Sequence, residues 1–182
     1  MTRLDELAEE VGASGRTLRR AASRGTIRAV RRSERRLELD HRELEYVRRH
    51  WTILERALDV LRTQPNVRLA VLFGSISRGD ERADSDVDLL VDFRETSLHA
   101  RSLLIERLQE ALGRPVQLVE LDSAEASPIL LADVVRDGRV LVDRDGAWPA
   151  VRRRRRQVAA AADAENERMT DELVAAFEDV FV

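Results

Sequence analysis

The chain has 182 residues, 31 basic against 34 acidic, a formal net charge of -3 at neutral pH, and a composition that is 43% hydrophobic and 36% charged. That apolar content supports one full domain and a small companion, and the lack of Cys excludes disulfides, thiolate metal sites and thiol nucleophiles. No apolar run nears the ~18 residues that cross a bilayer and the N-terminus lacks a signal-peptide profile, so the cytoplasm is the expected compartment.

In chain order, Thr2 can cap a first helix with Leu4, Leu7, Ala8 and Val11 on one face. Gly12 ends it, Ser14 caps a second helix bearing Leu18, Ala21 and Ala22, and Gly25 stops that one. Two short helices joined through a glycine turn form a helix-turn-helix pattern. Short strands at Ile27 to Val30 and Leu37 to Leu39 then flank a basic tip. Residues 14–36 hold nine Arg against the single acid Glu34, a basic island in a mildly acidic chain that points to a nucleic-acid-binding module.

Asp40 followed by Glu43 makes a capping-box-like start to a long helix, which runs to about Thr63 with Leu44, Val47, Trp51, Leu54, Leu58 and Leu61 at helical spacing. Pro65-Asn66 breaks it. A strand from Val67 to Phe73, a Gly-Ser turn, a short helix and a second strand from Asp86 to Val91 follow. A helix over about Leu98 to Leu112, a strand at Val116 to Leu121, a helix at Pro128 to Val135 and an edge strand at Arg139 to Val142 complete a small mixed α/β domain of about four strands. From about Ala150 an Arg run (152–156), an Ala run and an acidic end with Met169, Leu173, Phe177, Val180 and Phe181 read as one more helix. Its charges run against the helix dipole, so it needs packing to be stable. The expected division is 1–40, a connecting helix over 41–64, a second domain over 65–146 and a C-terminal helical segment over 147–182.

Residues 74–92 carry most of the chemistry. Gly74 lets the backbone turn sharply and approach a ligand, Ser75 can give a hydroxyl to a phosphate oxygen and Arg78 a charged donor. On a strand, Asp86 and Asp88 share a face because side chains alternate, while Val87, Leu89 and Val91 face the core. Two adjacent carboxylates repel unless a cation sits between them, and Mg²⁺ with triphosphate oxygens is the natural occupant. Either piece alone reads as an ordinary turn or a polar strand face; together, between two apolar strands, they favour nucleotidyl transfer.

With those residues in view, 67–142 resembles the minimal nucleotidyltransferases, small polymerase-β-like proteins often paired with a HEPN-domain toxin. The matching motif is Gly74-Ser75, Arg78-Gly79 and Ser85-Asp86-Val87-Asp88-Leu89, continuing through Leu118 to Ser123 and Asp137 to Leu141. The resemblance implies that Gly74, Ser75 and Arg78 bind nucleotide, ATP for preference. It also implies that Asp86 and Asp88 are the catalytic, Mg²⁺-holding pair. It further implies AMP transfer from ATP to a partner toxin, with the protein as the antitoxin half of a toxin–antitoxin module. The family carries a third Asp on the later strand; here that position is Gln117, which cannot act as a base at neutral pH. Glu120 is expected on the core side, and Asp92 lies about 13 Å beyond Asp88 at strand rise, so neither replaces it.

The N-terminal residues Leu4 to Ser14, Arg16 to Arg20 and Arg24 to Ile27 resemble MerR-type winged helix-turn-helix domains. That resemblance implies a second helix in the DNA major groove and a basic wing, with Arg16, Thr17, Arg19, Arg20, Arg24, Arg31, Arg32, Arg35 and Arg36 as operator contacts. A symmetric operator would call for a homodimer. The expected fold is therefore a polymerase-β-like α/β (α+β) domain preceded by a winged helix-turn-helix. The alternative function is a transcription regulator whose degenerate nucleotidyltransferase domain only binds nucleotide or a partner. Drug-modifying transfer to an aminoglycoside is disfavoured because no large acceptor-binding helical domain follows.

Overall fold

A computed structural model describes residues 3–32 and 37–180. The expected Thr2 cap, the hairpin tip with Arg35 and Arg36, and Phe181 lie outside the described residues, as do the side chains of Arg31, Phe177 and Val180.

Helices α1 (Arg3–Glu10) and α2 (Gly15–Arg24) lead into a two-stranded antiparallel hairpin, β1 (Val30–Arg31) and β2 (Leu37–Glu38). The Ser14 side chain accepts from the Thr17 amide at the start of α2, and Gly25, at φ 96°, closes its end in the left-handed conformation. Helix α3 (His41–Arg62) is capped by Asp40, whose carboxylate accepts from the Glu43 amide. The expected reciprocal half of that capping box is not made, because the Glu43 carboxylate turns inward to Arg139. Trp51 is in the core, as its place on the apolar stripe of α3 predicts.

The central sheet contains β3 (Val67–Phe73), β4 (Val87–Phe93), β5 (Val116–Glu120) and β6 (Arg139–Asp143), in the order β5-β4-β3-β6. Strand β3 runs antiparallel to both neighbours, and β4 runs parallel to β5, so the sheet is mixed. Between the strands lie α4 (Gly74–Arg78), α5 (Leu98–Leu112), α6 (Leu121–Glu125) and α7 (Pro128–Asp137); α8 (Trp148–Arg153) and α9 (Arg155–Val180) follow. Helix α6 occupies a stretch the sequence pattern left without an element.

Strand alternation divides the core in two. Leu72, Leu89, Val91 and Leu118 join α3 and α5 on one face of the sheet. Leu69, Val71, Leu90 and Val140 join α7, Trp148, Val151 and Val158 on the other. The N-terminal segment shares the first of these cores: Leu4, Leu7, Leu18 and Ile27 belong to one buried cluster with α3 and β3.

It also closes the edge of the sheet. The Val140 amide donates to the Gly25 carbonyl at 3.2 Å, and the Thr26 hydroxyl donates to the Val140 carbonyl at 2.5 Å. An otherwise open strand edge is thereby covered. Among the described residues no helix is long and apolar enough to cross a membrane.

Candidate active site

The buried strand β3 ends at Phe73, and the chain reverses at Gly74, whose φ of 71° favours glycine. The reversal brings Gly74 under the carboxylate of Asp88. A Cβ at position 74 would stand 2.0 Å from Asp88 Oδ2, so the glycine makes room for that carboxylate as well as for the turn. Ser75 follows, half-buried, in the first turn of the five-residue α4. No side-chain hydrogen bond engages its hydroxyl among the described residues.

Strand β4 starts at Val87, leaving Asp86 exposed just before it and Asp88 half-buried within it. Burial and the neighbouring Asp86 charge push the Asp88 carboxyl above the usual carboxylate range, while Arg78 pulls the other way. Raised proton affinity in an acid beside another acid marks a place where a cation is favoured.

Arg78 donates to Asp80 at 3.0 Å and to Asp137 at 3.3 Å, which fixes its guanidinium near the carboxylate pair. Asp137 is a site residue that sequence reasoning missed as such. Burial acts to raise its carboxyl, but hydrogen bonds and charge from Arg136 and Arg78 outweigh that and hold it below the usual range. Its backbone carbonyl also accepts from the Ser77 hydroxyl and from Arg28. The only signal in the sequence was its place at the start of the Asp137 to Leu141 stretch that resembles the minimal nucleotidyltransferases.

Gln117 pairs with Asp88 in the parallel β4–β5 register, so the two side chains emerge side by side on one face. The amide is exposed, between buried Val116 and Leu118. Glu120 lies on the other face of β5, where it pairs with Arg101 of α5 at 3.6 Å; it is partly exposed rather than buried in the core. Asp92 is held by Arg68 at 2.5 Å, away from the pair.

Behind the loop that joins Gly79 to Asp86 stands a second group not legible from the chain. His50 is buried and stacked on Tyr46, with ring centroids 4.3 Å apart. Its Nδ1 lies 2.9 Å from the Tyr46 carbonyl, and its Nε2 meets the Glu81 carboxylate at 2.8 Å. Burial pushes the Tyr46 phenol up to about 12, so the ring stays neutral under the Arg139 guanidinium.

The arginines expected to meet DNA divide into two groups. Arg16 and Arg20 are exposed on α2. Arg19 pairs with Asp5 at 2.6 Å, Arg32 with Glu38 at 3.0 Å, and Thr17 bonds the Ser14 hydroxyl at 2.8 Å. Arg24 donates to the Leu141 carbonyl, tying α2 to β6.

Residues 55–147, about half of the chain, match the family described as Polymerase beta, Nucleotidyltransferase. The chain belongs to that family. It is 40% identical over 78 residues to the protein adenylyltransferase MntA of Shewanella oneidensis, covering 42% of this chain and 55% of that protein. A putative protein adenylyltransferase of Methanocaldococcus jannaschii is 36% identical over 70 residues, covering 37% of this chain and 70% of that one. Among solved structures, a toxin–antitoxin with AMP-PNP superposes with a TM-score of 0.55 at 28% identity, over 66% of this chain and 98% of that one. A chain from the complex of tri-AMPylated Shewanella oneidensis HEPN toxin with MNT antitoxin gives 0.52 at 26% identity, over 69% and 98%. The family match thus spans about half of the chain, and the superposition on the solved toxin–antitoxin chain about two thirds.

Proposed function

We propose that the protein transfers AMP from ATP to a HEPN-type toxin and acts as its antitoxin. The observation that carries the reading is the Asp86–Asp88 pair set over Gly74 and beside Ser75 and Arg78. The MntA relatives named as protein adenylyltransferases, and the antitoxin in complex with an AMPylated HEPN toxin, support the donor and the acceptor class.

Among the described residues no group of three or more His, Cys, Asp or Glu side chains is placed to hold a metal. Two carboxylates nevertheless fit Mg²⁺, which binds through one or two protein carboxylates and takes its other oxygens from phosphates and water. Bound by Asp86 and Asp88, Mg²⁺ would neutralise triphosphate charge as pyrophosphate leaves. Gly74 admits the phosphates close to the backbone, the Ser75 hydroxyl donates to a phosphate oxygen, and Arg78, braced by Asp80 and Asp137, balances the triphosphate. The acceptor oxygen forms its bond to the α-phosphorus, the bond to the bridging oxygen breaks, and pyrophosphate departs in line. The acceptor proton passes to solvent, because Gln117 has no basic atom to receive it.

The N-terminal segment is assigned to operator DNA, with α2 in the major groove and the β1–β2 hairpin as a wing. Exposed Arg16 and Arg20 are its first contacts, and Arg19, Arg24, Arg31, Arg32, Arg35 and Arg36 extend them along the backbone. A second reading is favoured by Gln117 alone: a nucleotide-binding regulator in which transfer has been lost.

Label transfer from α-phosphate-labelled ATP with Mg²⁺ and a HEPN-domain acceptor separates the two. Transfer by the wild type, lost in Asp86→Ala, is the expected result. Silence from the wild type with transfer by Gln117→Asp gives the second reading. Full activity in an Asp86→Ala/Asp88→Ala variant would sink the site assignment.

A further inference from the structure

Two parts of the surface lack a partner, and they are complementary. The first is a groove of about 990 Å³ between the Ala22 to Val30 segment and the α8–α9 junction. Arg24, Arg28, Arg136, Arg152, Arg153 and Arg155 line it, against only Glu38 and Asp40. Arg152, Arg153 and Arg155 are exposed and make no hydrogen bond or ion pair among the described residues. Burial, with Arg62, Arg20 and Arg144 nearby, holds the Arg24 guanidinium below its ordinary range; burial and Arg139 do the same to Arg28, against Glu43 and Asp137. Positive charge has been gathered in one groove of a chain whose net charge is -3; Asp133 and Asp137 pair with Arg136, while Arg152, Arg153 and Arg155 have no acidic partner among the described residues.

The second is the far half of α9. With 26 residues α9 is ~39 Å long, whereas the ten-residue α7 on which it packs is ~15 Å. Val158 and Ala162 are buried against the body, but residues 166–175 are exposed. Met169 and Leu173 continue the same helical stripe past the end of α7 and are 53% and 59% exposed, with Val174 at 52%. Over 163–174 the helix carries Asp163, Glu165, Glu167, Asp171 and Glu172 against Arg168 alone. Among the described residues five large hydrophobic side chains are exposed; three are on this overhang and one, Val30, lines the groove.

We infer that the acidic overhang of α9 in one copy seats in the arginine groove of a second copy, and reciprocally, as an antiparallel two-fold dimer. Helix α9 begins beside its own groove and ends acidic, so two copies laid antiparallel set each basic start against the other's acidic end. A two-fold closes after two such seats and leaves no surface open to a third copy. The apolar stripe meets Val30, Pro149 and the groove's alanines, while guanidinium–carboxylate pairs form around it. The antiparallel helices also oppose their dipoles, which corrects the unfavourable order of charge along a single α9. A nucleic acid in the groove would satisfy the arginines but leave Met169, Leu173 and Val174 in water. The inference is independent of the transfer chemistry.

The test is size-exclusion chromatography with light scattering on the full chain, using two charge-reversed variants. R152E/R153E/R155E reverses the groove and D163R/E167R/D171R reverses the overhang; each alone sets like charges at both seats. The expected result is a wild-type dimer, each variant monomeric, and a dimer of one chain of each when the two are mixed, since both seats are then complementary. Recovery on mixing also shows that neither variant failed to fold. A monomeric wild type at about 50 µM, or variants that stay monomeric together, overturns the proposal. So does a groove variant that remains dimeric but loses binding to a duplex DNA probe, which would make the groove a phosphate site.

Discussion

Asp88 and Gln117 are register partners across the parallel β4–β5 ladder, so a carboxylate and an amide stand side by side at the edge of the candidate active site. Adjacent in-register positions of parallel strands lie about 4.8 Å apart, within reach of a shared cation. Gln117→Asp needs no backbone change, since the position is exposed and the Asp side chain is smaller, one methylene shorter than Gln. It should raise Mg²⁺-dependent AMP transfer by about 10²–10⁴-fold, the usual contribution of a positioned base. Steady-state transfer rates for the two proteins check it. No gain would mean that the missing carboxylate does not limit the reaction.

Gly74→Ala tests the turn and the site together. Alanine at φ 71° is strained by about 1–2 kcal/mol, and its methyl would collide with Asp88. Asp88 must then swing away from its place over the turn. The expected outcome is a fall in melting temperature of about 2–8 °C together with loss of the stabilisation given by ATP and Mg²⁺. Thermal melts with and without the nucleotide separate the two effects. A variant that melts lower but still gains fully from nucleotide would remove Asp88 from the binding site.

Asp88 also sets a pH dependence. Burial and Asp86 raise its carboxyl in the folded protein above the unfolded value. Its contribution to stability is therefore fully present below the unfolded pKa and is lost as pH rises through the folded one. At neutral pH, without metal, the ionised side chain weakens the fold. Asp88→Asn should melt higher than the wild type near neutrality, and the difference should vanish below about pH 4. Transfer and Mg²⁺-dependent stabilisation should be absent from the variant at every pH. Melting curves across this range check the sign; a variant less stable than wild type at neutral pH contradicts it.

Strand alternation made the shared face of Asp88 and Gln117 legible, because each lies in a strand whose apolar neighbours fix which way it points; Asp86 stands one residue before β4, outside that alternation. The β4–β5 register was not legible, since parallel strands join through a helix and nothing local sets their offset. Asp137 and His50 escaped for a related reason. Their partners lie 59 and 31 residues away, and a helical pattern gives no sign of what a polar side chain will meet at that distance. The arginine island illustrates the converse. Counting charge over 14–36 marked the region correctly as basic, yet Arg24 and Arg28 spend hydrogen bonds on the carbonyls of Leu141 and Asp137.

A long-range ion pair joins Arg139 of β6 to Glu43 of α3, buried at 2.5 and 3.0 Å. Arg139 also donates to the carbonyls of Ser77, behind the nucleotide turn, and Thr26, in the N-terminal segment. Glu43 accepts the Arg28 amide as well, so one ion pair ties the candidate site to the proposed DNA-binding segment. Removing one charge from a buried pair leaves the other uncompensated, at a cost of about 3–5 kcal/mol. Glu43→Gln should lose that much stability by chemical denaturation. Glu43→Leu/Arg139→Met, which removes both charges, should lose less than the single variant, because no orphaned guanidinium remains. The double variant should nevertheless release the N-terminal segment, since the Thr26 and Ser77 carbonyls lose their shared donor. Hydrogen exchange at Val140, whose amide bonds Gly25, reports that release. Unchanged protection there would mean that the remaining contacts, with Arg24–Leu141, Arg28–Asp137 and Thr26–Val140 among them, hold the segment to the sheet.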